Sequence, residues 1–255
     1  MYDLLYSSNF FYNFLVCTLF LSLILSFSFL VSSKLKKNNI RLFEDYSTLV
    51  VFFLIFAIFT FIFNLIILSN KVFLTKPLVY ISIAIILGSI FIYIKDFNIR
   101  RLINVKSDYQ TKIIYFQLLI FYLISILPIS DADSIAVHLY FPSYIFLNGL
   151  SNLDLSFFFE FTSFSNSEIL LFFSPILKSD NFGSQLNLFT LIILSIFLIK
   201  DKKYFLLILI SCPLIIFFIS TQKLQLFFGI LYLILFLFVH KKVIKTKLEI
   251  FIFLF

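Results

Sequence analysis

Two carboxylates and a histidine fall within eight positions of the segment Ser130-Asp131-Ala132-Asp133-Ser134-Ile135-Ala136-Val137-His138-Leu139. In extended chain Asp131 and Asp133 project to the same side and could share a divalent cation, Mg or Mn, which takes oxygen ligands. In a helix, residues two apart diverge by about 200° around the axis and cannot chelate one ion. Asp131, Ser134 and His138 would then share a face, with Asp133 beside Tyr140 and Tyr144. Either geometry leaves a carboxylate able to accept a proton from a hydroxyl group, as a general base must. A plain helix start accounts for the same acids. Asp near an N-terminus caps and opposes the macrodipole, and Ser130 with Asp133 fits a capping box.

The elements that must hold these groups are apolar. The chain is 62% hydrophobic and 13% charged, with a mean hydropathy of +1.09, which excludes both an ordinary soluble domain and disorder. Runs long enough to cross a bilayer lie at about 10–31, 47–68, 77–94, 111–128, 182–199, 204–220 and 224–239. They predict an all-α polytopic bundle of about seven spans in one membrane domain, 1–255. Residues 1–128 carry four spans, 129–181 an external acidic loop, and 182–255 the remaining spans. The 40 phenylalanines reflect compositional bias. Cys17 and Cys212 lack metal-ligand spacing and read as small buried hydrophobes.

Basic residues fall on alternate connections. Lys34, Lys36, Lys37 and Arg41 follow the first span, and Lys95, Arg100, Arg101, Lys106 and Lys112 follow the third. Lys200, Lys202 and Lys203 follow the fifth, and Lys241, Lys242, Lys245 and Lys247 follow the seventh. These are 16 of the 20 lysines and arginines, and the positive-inside bias puts them in the cytoplasm with the N-terminus outside. An inner (plasma) membrane, multi-pass protein is expected. Topology and anionic lipid account for the net charge of +7 without a nucleic-acid partner; the lipid bilayer is the partner. The first run has no basic segment before it and no small-residue cleavage site, so it reads as a retained helix.

The loop from Ile129 to Asn181 holds Asp131, Asp133, Asp154, Glu160, Glu168 and Asp180 against Lys178 alone. Within it, Ile135–Leu147 predicts a juxtamembrane helix, kinked by Pro142 and stopped at Asn148-Gly149. Ile169–Leu177 is too short to cross and predicts a second interfacial or re-entrant piece, introduced by Asn166-Ser167-Glu168. An anionic donor would need outer-side cations. Lys178 is the best placed, with Lys71, Lys76 and Lys223 serving as interface anchors. Asn64 and Gln117 are expected to bond between helices.

The string from Pro128 through His138-Leu139, with Pro142 and Leu147-Asn148-Gly149, resembles the large external loop of bacterial GT-C-type membrane glycosyltransferases. Asn166-Ser167-Glu168-Ile169-Leu170 and Ser179-Asp180-Asn181-Phe182-Gly183 are similar to the segment that precedes their next spanning helix. The resemblance covers about residues 127–200. It implies sugar transfer from a polyprenyl-phosphate sugar to an acceptor on the outer face. Asp131 or Asp133 would be base or metal ligand, and His138, Glu168 and Lys178 would bind substrate. In this chain the loop follows the fourth span, and Val137 stands where the family commonly has Tyr. The apolar run Leu248–Phe255 begins another helix, so a truncated or split member with a C-terminal partner chain is expected. Two rivals stand beside this reading: a carrier or flippase for lipid-linked or small polar solutes, and a non-catalytic membrane subunit.

Overall fold

The computed structural model describes residues 6, 9–37, 47–93, 108–127, 138–149 and 166–240. All regular structure among them is helical: α1 (Phe10–Lys37), α2 (Ser47–Leu68), α3 (Thr75–Tyr93), α4 (Tyr109–Ser125), α5 (Tyr140–Asn148), α6 (Asn166–Leu170), α7 (Phe173–Leu177), α8 (Phe182–Asp201), α9 (Lys203–Ile210), α10 (Pro213–Ser220) and α11 (Gln225–His240). A single 3-10 turn, Val72–Leu74, leads into α3.

Each expected apolar run coincides with a helix or helix pair, but not every one spans by length. Among the described residues four segments are long and apolar enough to cross a membrane: Phe11–Leu35, Ser47–Leu68, Val72–Tyr93 and Phe182–Ile199. A fifth is available if α9 and α10 count together, though they meet at 63°. The bend has a local cause. Pro213 has no N–H and its ring crowds the carbonyl four residues back, so α9 ends and a new helix starts at the proline. The expected unbroken span over 204–220 is therefore two helices.

The core is built around α8, which packs against α1, α2, α4, α10 and α11. Its apolar side chains Leu186, Leu188, Leu191 and Ile193 are fully buried. With lipid outside and protein inside both apolar, close packing and interhelical hydrogen bonds hold such a bundle. By contrast α3 leaves Tyr80, Ile81, Ile85, Phe91 and Ile92 exposed, the pattern of a helix turned outward.

The pair α6–α7 is tucked into the bundle. Residues 168–177 are all buried, and they pack on α2, α3, α5 and α8. Phe173 fills the centre, its ring centroid 5.0–6.0 Å from those of Phe20, Phe56, Phe59, Phe63 and Phe182. Tilted and edge-on ring pairs of this kind add about 0.5–1.5 kcal/mol beyond their burial. The piece is short, below the length of the four candidate spans, and is seated in protein.

Helix ends gather at two poles. At one, Ser32 on α1 bonds Thr48 on α2 (2.9 Å), Lys34 lies over the Tyr93 ring, and Lys203 pairs with Asp108. The start of α1, the end of α4, the start of α8 and the α10–α11 turn meet at the opposite pole.

Candidate functional site

Residues 138–139 are wound as a wider π-type turn that leads into α5. Such turns recur at functional sites. Pro142, where a break or kink is expected, lies in the first turn of α5, and residues 135–137 of the expected Ile135–Leu147 helix lie outside the described residues. The expected stop is present: Gly149 caps α5 with φ +72°. A Cβ there would lie 2.6 Å from Asn70 Oδ1, the movable end of a side chain, so it is the backbone that calls for glycine.

Two of the expected site residues meet across this turn. His138 Nδ1 lies 3.1 Å from Glu168 Oε1, in the first turn of α6. Their side chains are 18% and 7% exposed. An ionised carboxylate can only accept, so it fixes the proton on Nδ1 and leaves Nε2 for a second partner. An oriented imidazole of this kind can donate to, or take a proton from, a substrate oxygen.

Lys178 is not part of that pair. It caps α7 in the left-handed region, φ 56°, is exposed, and its side chain makes no ion pair with either residue among the described contacts. Asp131 and Asp133 lie outside the described residues, as do Asp154, Glu160 and the run Leu248–Phe255. Among the described residues no group of three or more His, Cys, Asp or Glu is placed to hold a metal.

A buried polar seam at the same pole escapes sequence reasoning. Asn13 Nδ2 donates to Asp180 Oδ1 (3.3 Å), while Ser179 Oγ donates to the Asn13 carbonyl (3.1 Å). One turn further in, Thr18 donates to Gln185 Oε1 (3.1 Å), and Gln185 Nε2 is buried with no hydrogen-bond partner. Asn181 donates to the Ser125 and Leu127 carbonyls at the end of α4. Gln222 donates to the Asp180 carbonyl and accepts from the Gly183 N–H (2.7 Å). That last bond satisfies one of the N–H groups a buried helix start leaves orphaned.

Asn187 completes the seam, donating to the Phe218 and Lys223 carbonyls (2.8 and 2.7 Å) and accepting from the Phe227 N–H (3.0 Å). The only hint in sequence is the density of polar residues at 179, 180, 181, 184, 185 and 187, where an apolar helix begins. Asn64 and Gln117, expected to bond between helices, are only half-buried. Among the described residues the amides nearer helix ends make those bonds instead.

Set beside known protein families, curated proteins and solved structures, the chain has no significant match.

Proposed function

We propose that this chain is a membrane glycosyltransferase of the GT-C type, or a part of one, working at the outer face on a polyprenyl-phosphate sugar. In this reading α9–α10 is one bent span, α4 and α11 also cross, and seven spans place the N-terminus and the 129–181 segment outside the plasma membrane. The observation that carries the reading is the His138–Glu168 pair, held at 3.1 Å five residues after the Asp131-Ala132-Asp133 triplet. In a chain with few polar groups, a carboxylate and an imidazole are held together away from solvent, and ionisable groups kept so in a membrane protein are candidates for function.

The proposed step is a displacement. The acceptor hydroxyl oxygen attacks the anomeric carbon, the carbon–oxygen bond to the lipid phosphate breaks, and the hydroxyl proton passes to Asp131 or Asp133. Glu168 orients His138, whose Nε2 contacts a phosphate or acceptor oxygen, and Lys178 adds positive charge at the rim. Asp131 and Asp133 would also be the ligands of a divalent cation, which would supply charge neutralisation at the phosphate.

One observation favours a transporter instead. The α9–α10 break falls midway along an apolar run, and broken helices are common in transporters. Reconstitution separates the two. Vesicles carrying the protein, a polyprenyl-phosphate sugar and hydroxyl acceptors should yield a glycosylated product by mass spectrometry. Movement of the sugar lipid between leaflets without any product would overturn the transferase in favour of the carrier.

A further inference from the structure

His138 rides on a turn that a distant residue grips. The phenol of Tyr6 lies 2.5 Å from Ser143 Oγ and 3.4 Å from the Leu139 carbonyl oxygen. Ser143 Oγ itself donates to that carbonyl (2.5 Å). All three groups are buried: Tyr6 is 5%, Ser143 2% and Leu139 1% exposed. The hydroxyls thus converge on the carbonyl immediately after His138, in the π-type turn that leads into α5. We propose that Tyr6 is a positioning residue for His138, fixing from 133 residues away the turn that aims the imidazole at its substrate.

The proposal rests on the reading of His138 as a substrate-contacting group. Its geometry stands apart from that reading. Local hydrogen bonds within α5 would hold Ser143 without help from the N-terminal segment, so the added phenol is an additional constraint on the turn. Burial pushes the Tyr6 phenol well above the ordinary tyrosine range, with the Ser143 hydrogen bond opposing it and the nearby Asp180 charge adding to it. The phenol therefore stays protonated, and a donor, across physiological pH. Without it, the Leu139 carbonyl keeps its intrahelical partner but the turn gains freedom, and His138 spends more time away from Glu168.

The chain has two histidines, so a His240→Gln background leaves His138 alone to be read. In that background the rate of diethyl pyrocarbonate modification of His138, followed by mass spectrometry in membrane vesicles, should rise roughly 3- to 10-fold with Tyr6→Phe, the effect of one lost hydrogen bond. Ser143→Ala should move it in the same direction, and serves if Tyr6→Phe does not accumulate. Tyr12→Phe, on the exposed face of α1, should leave it unchanged. Sugar transfer by Tyr6→Phe should fall in kcat with KM preserved. An unaltered His138 rate in Tyr6→Phe and Ser143→Ala, or an equal rise with Tyr12→Phe, overturns the positioning role. A raised rate in a protein whose wild type transfers no sugar keeps Tyr6 as a positioning residue and removes the transferase.

Discussion

His138 and Glu168, thirty positions apart, are joined by a 3.1 Å contact that ties the turn before α5 to the start of α6. Neither helix is long enough to hold itself in place, since short isolated helices are marginal. The contact therefore builds the site and links the start of α5 to the start of α6. Removing one member leaves a half-buried polar group without its partner. Glu168→Ala should lower stability by about 1–3 kcal/mol, and adding His138→Ala should recover part of that loss. Thermal unfolding of the four species of this double-mutant cycle in detergent checks it; strictly additive losses would remove the coupling.

Asn187 ties α8 to both sides of the α10–α11 turn through three hydrogen bonds. Leucine has the same number of side-chain heavy atoms and the same branching but no polar atoms, and would remove all three hydrogen bonds. Asn187→Leu should lower stability by about 2–4 kcal/mol. Asn64→Leu, at a half-buried position on α2, should change it by less than about 1 kcal/mol. Equal unfolding temperatures for the two variants would deny the seam its role.

At the opposite pole, the Lys203 ammonium and the Thr111 hydrogen bonds hold the exposed Asp108 carboxyl far below the usual carboxylate range. Asp108 also caps α4, accepting from the Thr111 N–H (2.9 Å). Because its folded value is depressed, its stabilisation is complete above the unfolded carboxylate value of about 4 and is lost as pH falls below that. The wild type should lose unfolding temperature between about pH 4 and pH 2. Asp108→Asn, which still caps but cannot titrate, should show a shallower loss over that window. Parallel curves would show that the pair contributes nothing.

Sidedness is open to labelling at exposed sites near the seam. Lys178 is exposed, whereas its neighbour Ser179 is fully buried and would resist a reagent on either side. Single cysteines at Lys178 and Leu147, in a background with Cys17→Ala and Cys212→Ala, should both react with an impermeant thiol reagent added outside. Reaction only after permeabilisation would invert the orientation.

The helices were legible because each apolar run is long, and length alone separates a membrane helix from a loop. The helix break within 204–220 falls at a proline. A helix restarts at Pro213, and a lone sequence does not say which side of a proline carries the helix. His138 and Glu168 were legible as rare polar groups in an apolar chain, but their contact was not, because thirty residues intervene. The seam was hidden for the same reason at greater range. Asn13 and Asp180 lie 167 positions apart, and nothing local marks an asparagine on a spanning helix as the partner of a distant acid.

Transfer from a polyprenyl-phosphate sugar by the Asp131→Asn, Asp133→Asn double variant tests the central claim most directly. Asparagine keeps the size of the side chain and still caps a helix, so protein level and membrane insertion should match the wild type. If one of these carboxylates takes the acceptor's proton, the transfer rate falls by about 10²- to 10⁴-fold. Transfer near the wild-type rate would contradict the assignment of catalysis to this loop.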